Sequence, residues 1–125
     1  MAFAKYRWIR QTIAQTLKRI RQAPQEPWVA IGDFLDDWRR SELVDRQELI
    51  EEPILLIHDD SQEIRQWAAF CAAAVEWLCW QDGISFPNWT SQKEFWLSQP
   101  WQIATTPTPF RMRNIFGGDC MLDRV

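Results

Sequence analysis

The chain has 125 residues, of which 46% are apolar and 25% charged, and its net charge is −3. This length and composition are typical of one globular domain, here residues 1–125, and the absence of repeats and low-complexity segments excludes a repeat array. The three cysteines show no C-x-x-C spacing, and Cys71 and Cys79 would lie about 12 Å apart on one helix, too far for a disulfide. They predict reduced thiols in a cytoplasmic protein, as does the lack of an apolar signal segment after the charged N-terminus.

Positive charge is concentrated near the N-terminus. Residues 1–22 contain six basic side chains and no acidic one, whereas the rest of the chain contains eight basic and seventeen acidic side chains. Apolar residues recur there at helical spacing, which predicts a first helix over residues 3–22. Its basic flank is either solvated or part of a nucleic-acid-binding patch, for which the candidates are Arg7, Arg10, Lys18, Arg19 and Arg21, joined by Arg111 and Arg113. A membrane-surface role is disfavoured because the remaining chain is acidic.

Two further helices are predicted before the centre of the chain. Pro24 and Pro27 interrupt the first helix, and a second helix covers residues 28–40. Its predicted inward residues are Ile31, Phe34, Leu35 and Trp38, and its predicted solvated acidic face consists of Asp33, Asp36 and Asp37. Residues 42–51 predict a third helix, with Leu43, Val44, Leu49 and Ile50 inward. The apolar residues 53–58 predict an extended link or a buried turn that leads into the central helix.

The most apolar stretch, residues 60–83, predicts a long central helix. Asp60 or Ser61 can cap its first turn, and Gly83 can end it in the left-handed conformation. Large apolar side chains and alanines cover most of its circumference, and the predicted solvent positions are Arg65, Gln66 and Glu76. A helix that is apolar nearly all round must be covered by its neighbours. The charges within it and near its ends argue against a membrane span.

No catalytic or metal-binding constellation is visible in the sequence. His58 is the only histidine and precedes two aspartates, a pattern compatible with acid–base chemistry. No nucleophile or further metal ligand stands at a suitable spacing beside it. We therefore expect a capping or packing role for His58 and predict neither an enzyme nor a cofactor or metal. A hydrolase that uses His58 with Asp59 or Asp60 is the alternative.

Nine tryptophans are difficult to bury fully in a domain of this size. Because Trp is enriched at interface hot spots, the excess predicts a surface for a protein partner, with self-association as an alternative. Two arginines near the C-terminus could bind carboxylates of this chain or groups on a partner. The predicted partner-binding residues are Trp28, Trp38, Trp89, Trp96, Trp101, Arg111 and Arg113.

The C-terminal part predicts short elements. Residues 84–90 are typical of a loop, and residues 92–99 predict a short helix. A surface crossing is expected over residues 101–110, and a last helical turn over residues 109–116.

About the last forty residues resemble a known group of proteins. The segments F-P-N-W-T, E-F-W-L and P-F-R-M-R-N-I-F, followed by L-D-R-V, resemble the C-terminal region of a loose family of small bacterial proteins. The matching positions are Pro87, Trp89, Thr90, Phe95, Trp96, Pro109, Phe110, Arg111, Arg113, Asn114, Ile115, Phe116, Leu122, Arg124 and Val125. Some family members carry this region behind a helix-turn-helix domain. Others are one half of a toxin–antitoxin-like gene pair with a nucleotidyltransferase-like partner.

The resemblance implies an antitoxin-like or regulatory protein with a protein partner. The chain departs from the DNA-binding members, because Pro24 and Pro27 do not fit the tight turn before a recognition helix. Taken together, the sequence predicts an all-α, single-domain helical bundle around a central helix at about residues 60–82, with short C-terminal helices. The predicted function is a cytoplasmic interaction or regulatory protein, and the alternative is nucleic-acid binding by the basic N-terminal helix.

Overall fold

The computed structural model of the chain describes residues 10–98, 101–104 and 115–117. Within them the helices are α1 (Ile13–Gln22), α2 (Pro27–Arg40), α3 (Leu43–Glu51) and α4 (Gln62–Asp82). Two 3-10 turns follow, η1 (Asn88–Ser91) and η2 (Lys93–Phe95), and two short strands, β1 (Trp101–Ala104) and β2 (Ile115–Gly117), pair in parallel. The predicted all-α bundle is confirmed, and the strand pair adds to it at the C-terminal end.

Helix α4 is the centre of the bundle, as predicted. The Ser61 hydroxyl caps it by accepting a hydrogen bond from the Ile64 backbone N–H at 3.2 Å. Gly83 ends it with φ 70°, a left-handed conformation that favours glycine. Its alanines are fully buried at four positions: Ala68, Ala69, Ala72 and Ala73. Because these side chains are small, neighbouring elements can approach the α4 backbone closely.

Helix α1 packs closely against both α2 and α4, while α2 and α4 make few close backbone approaches to each other. The buried side of α1 carries Leu17 and Ile20. On another side of α4, η1 and η2 supply Trp89 and Phe95, whose rings lie edge to face 5.4 Å apart. Helix α1 therefore separates α2 from α4, and this separation leaves a groove between them.

The first helix is shorter than predicted. Thr12 has extended backbone angles, φ −80° and ψ 166°, and its side chain accepts a hydrogen bond from the Gln15 backbone N–H at 3.2 Å. The Gln15 side chain accepts in return from the Thr12 N–H at 2.9 Å, which completes a capping box. A continuous helix over residues 3–22 is therefore wrong, because α1 begins after Thr12. Its predicted residues 3–9 lie outside the described part of the chain.

Four side chains differ from the prediction: two that were predicted to be buried are exposed, and two that were predicted to be exposed are buried. Leu43 and Val44 are exposed because they occupy the first turn of α3, whose inward side is formed further along the helix. Asp37 and Glu76 are buried rather than solvated. Asp37 tolerates burial because its carboxylate accepts a hydrogen bond from the Gln11 backbone N–H at 2.7 Å.

The predicted C-terminal helices also differ in kind. Residues 92–98 of the short helix predicted over 92–99 do not form an α-helix, and η2 supplies a single 3-10 turn there, while residue 99 lies outside the described part of the chain. The helical turn predicted at residues 109–116 is contradicted at its end, because Ile115 and Phe116 belong to strand β2. Strand β1 lies where a surface crossing was expected, and its backbone pairs with β2 along one edge.

We expect Ala72→Leu to reduce the free energy of unfolding by about 1–3 kcal/mol, because a larger side chain at a fully buried position overpacks the core. The matched control is Ala74→Leu, two residues further along α4 at a half-buried position. Alanine and leucine have similar helix propensities, so the difference isolates packing. Urea unfolding followed by circular dichroism measures the free energy of unfolding of both variants. Equal decreases in this free energy would contradict the close packing of α4.

Candidate partner-binding groove

A cavity of about 730 Å³ lies between α2 and α4, with Ile13 and Thr16 of α1 at its floor. We call it the α2–α4 groove. The two helices run in the same direction, because Trp28 near the start of α2 contacts Phe70, while Trp38 near its end is bonded to Asp82. Trp28 and Trp38 are ten positions apart, which corresponds to about 15 Å along the helix axis.

Aromatic rings form one end of the groove. Trp28 meets Phe70 edge to face, with ring centroids 5.6 Å apart, and meets Trp67 in the same way at 5.1 Å. Trp67 in turn contacts Trp101 at 5.1 Å. These contacts hold the Trp28 ring in place, although 51% of the residue is exposed. The result is a fixed, half-exposed indole at the rim.

A compact polar network closes the other end. One Asp82 carboxylate oxygen, Oδ2, accepts from Trp38 Nε1 at 2.9 Å and from Arg46 Nη1 at 2.8 Å. Arg46 Nε also donates to the Trp38 carbonyl at 2.8 Å, and its guanidinium carbon lies 5.5 Å from the centre of the Trp38 ring. The charges of Arg46 and Asp82 therefore compensate each other. These hydrogen bonds connect the C-terminal ends of α2 and α4 to each other and to Arg46 of α3.

The predicted partner-binding residues do not form one surface. Trp28 and Trp96 are exposed and Trp101 is half-buried. Trp38 and Trp89 are buried, which corrects their predicted placement on a surface. Packing explains both: Trp38 lies between α2, α3 and α4, and Trp89 Nε1 donates to the Ile50 carbonyl at 2.9 Å. Arg111 and Arg113 lie outside the described residues.

Among the predicted partner-binding residues that the structure describes, only Trp28 and Trp38 line the groove, and its other lining residues, Trp77 and Gly32 among them, were not predicted from the sequence. Trp77 lines the groove from α4, and Gly32 lines it from α2. Phe70, Ala74 and Trp77 are spaced so that they share one face of α4. This spacing could have indicated that Trp77 lines the same site as Phe70. Gly32 is an isolated glycine inside a helical pattern, which is tolerated at a cost of about 1 kcal/mol relative to alanine.

The basic residues near the N-terminus pair with acidic residues of the same chain. Arg10 lies 3.5 Å from Asp45, Arg19 lies 2.7 Å from Asp33, and Arg21 lies 2.8 Å from Asp60. Lys18 is exposed, and Arg7 lies outside the described residues. Three of the five residues of the predicted nucleic-acid patch are thus directed at carboxylates on α2, on α3 and before α4. This arrangement weakens the case for a phosphate-binding surface.

The groups with catalytic or metal-binding chemistry are dispersed or buried. Among the described residues, no cluster of three or more His, Cys, Asp or Glu could hold a metal ion. His58 is exposed in the turn before α4. Cys71 and Cys79 are buried, and burial raises the pKa of the Cys71 thiol to about 12. Cys71 is therefore protonated at neutral pH and is a poor nucleophile.

Comparison of the chain with protein-family models, curated proteins and solved structures finds no match. The resemblance of the C-terminal region stays a prediction. In the described part of the chain, none of the helices combines the length and apolarity that crossing a bilayer requires.

The Arg21–Asp60 ion pair gives a measurable pH dependence. The hydrogen bond from the Arg21 side chain holds the pKa of Asp60 below its ordinary value of 3.8, and the Ile57 backbone N–H adds to the effect. Because the pKa is depressed in the folded state, the pair stabilises the fold above the unfolded-state pKa. That stability is lost as the pH falls from about 3.8 through the folded-state pKa.

We expect Asp60→Asn to reduce the free energy of unfolding at pH 7 by about 1–3 kcal/mol, the range for hydrogen bonds to charged groups. The difference from wild type should shrink as the pH falls below about 4, because the unfolded-state carboxylate then binds a proton while the folded-state carboxylate, whose pKa is lower, stays ionised until lower pH. Denaturant unfolding at pH 7, 4 and 3 measures this, with the exposed neighbour Asp59→Asn as control. A difference that is the same at every pH would rule out the ion pair as its cause.

Proposed function

We propose that this chain is a cytoplasmic interaction protein that binds the apolar face of a partner protein in the α2–α4 groove. The observation that carries the proposal is the half-exposed indole of Trp28 at the rim of a cavity of about 730 Å³. Tryptophan is among the residues that contribute most binding energy at protein interfaces. The proposal keeps the predicted protein partner and narrows the predicted surface to this groove.

The openness of the groove favours a protein over a small molecule. Small-molecule sites enclose about 70–90% of the ligand surface. Here the rim residue Trp28 is 51% exposed, and the side chain of Arg39 at the other end is 71% exposed. The stretch of the groove between the levels of Trp28 and Trp38 is about 15 Å long, which matches three turns of a third helix, and helix-in-groove binding is a common mode of recognition. We therefore propose a helical segment of the partner as the occupant.

The other features of the chain agree with this proposal. The free thiol of Cys71 is compatible with a reducing compartment such as the cytoplasm. The C-terminal resemblance supports a regulatory or antitoxin-like role and a partner encoded beside this chain. Nucleic-acid binding through the basic N-terminal region has weaker support, because Arg10, Arg19 and Arg21 pair with carboxylates. Self-association through the groove is an outcome that the experiment below distinguishes.

We expect Trp28→Ala to weaken partner binding at least tenfold, which corresponds to about 1.4 kcal/mol. The tagged full chain is purified from its own host, the protein retained in stoichiometric amount is expressed separately, and its affinity is measured by calorimetry. Trp96→Ala is the matched control, since Trp96 is 55% exposed but does not line the groove. Thermal unfolding of both variants shows whether the loss of ring contacts has changed the fold.

Three results would contradict the proposal. Equal losses for Trp28→Ala and Trp96→Ala would place the interface outside the groove. Retained material that nuclease or high salt releases would favour nucleic acid, because phosphate contacts weaken steeply with salt. A second copy of this chain as the only retained protein would favour self-association.

A further inference from the structure

Gly32 lies in the interior of α2, where glycine is a poor helix former. A Cβ atom built at Gly32 would meet no atom within 4 Å, so packing does not require glycine at this position. Gly83, in contrast, is the glycine with positive φ in the described residues, and its conformation explains it. Neither packing nor conformation accounts for Gly32, but its position does, because it lines the α2–α4 groove.

The space beside Gly32 lies between the two closed ends of the groove. The ring contact between Trp28 and Phe70 marks one end, and the bond from Trp38 to Asp82 marks the other. Between these levels α4 contributes Ala74, a small side chain, and Trp77. There is therefore open space directly beside Gly32, and aromatic rings line the groove on both sides of it along the helix axes.

The charges in the groove indicate a neutral occupant. Arg46 and Asp82 are bonded to each other, and Arg39 lies 3.5 Å from Asp36. A charged group inserted near the middle of the groove would lose water without gaining an uncompensated partner among these residues. A neutral aromatic ring would instead meet indole and phenyl edges, an arrangement that aromatic rings prefer.

We propose, resting on the proposed function, that the space beside Gly32 is the anchor pocket for one neutral aromatic side chain of the partner helix. Gly32 is then a residue that determines specificity, because any side chain at this position occupies the space that the anchor needs. The fold tolerates such a side chain, and the helix gains from it.

The test uses 3-methylindole, the free side chain of tryptophan, titrated into the full-length protein and followed by ¹H–¹⁵N NMR of the tryptophan Nε1–H signals. We expect saturable shifts for Trp28 and Trp77, which line the groove, and none for Trp89, which is bonded to the Ile50 carbonyl elsewhere. Gly32→Leu should weaken binding at least tenfold and raise the thermal midpoint. Absence of saturable shifts, or unchanged binding to Gly32→Leu, would overturn the proposal.

Two controls make the result specific. Val29→Leu places the same leucine side chain on the same helix at an exposed position that does not line the groove, and it should leave 3-methylindole binding unchanged. Indole-3-acetate carries a negative charge on the same ring and should bind at least tenfold more weakly than 3-methylindole. Equal affinity for the two ligands would contradict a neutral anchor.

The outcomes for the anchor pocket and for the proposed function can be separated. If 3-methylindole fails to bind while partner affinity still depends on Trp28, the anchor pocket is wrong and the interaction function stands. If 3-methylindole binds as expected but no protein partner responds to Trp28→Ala, the proposed function is wrong. The affinity of the partner for Gly32→Leu tests the anchor pocket and the proposed function together. A tenfold loss of that affinity supports both.

Discussion

Helix α4 is apolar around most of its circumference, and the rest of the described fold depends on covering it. Four of its alanines are fully buried, which requires protein on the sides of the helix that they occupy. Helix α1 and the turns η1 and η2 provide that cover. Because alanine is small, α1 lies close to α4, and the larger rings of Trp67 and Phe70 fill the space beyond. Burial of this apolar surface is the main driving force for the arrangement.

Three of the basic side chains near the N-terminus are compensated by carboxylates of the same chain. Arg19 and Arg21 of α1, and Arg10 before it, pair with carboxylates on α2, before α4 and on α3 respectively. The Arg21–Asp60 pair is the least exposed of these three contacts, and Asp60 also accepts a hydrogen bond from the Ile57 backbone N–H. Arginine suits this position because its guanidinium group can contact both carboxylate oxygens at once. Positive charge that could have formed an external surface thus helps to hold the helices together.

The groove follows from the same packing. Since α1 lies between α2 and α4, those two helices meet chiefly through long side chains at two levels, Trp28 with Phe70 and Trp38 with Asp82. The middle is left open, and Gly32 and Ala74 widen it. Every helix contributes to the lining, including α3 through Arg46. A site assembled in this way has no continuous sequence motif, which is why it was not recognised from the residues alone.

The sequence by itself determined the local features: the bounds of α2 and α4, the stop at Gly83 and the extended link after α3. These depend on prolines, capping residues and periodicity, whose effects act within a few residues. The tertiary structure alone decided which tryptophans are exposed, since Trp28 and Trp38 lie on one helix yet only Trp28 reaches solvent. It also buried Asp37, whose partner Gln11 is 26 positions away, and opened the groove at Gly32. Exposure and site geometry depend on neighbours distant in sequence, and local patterns do not encode them.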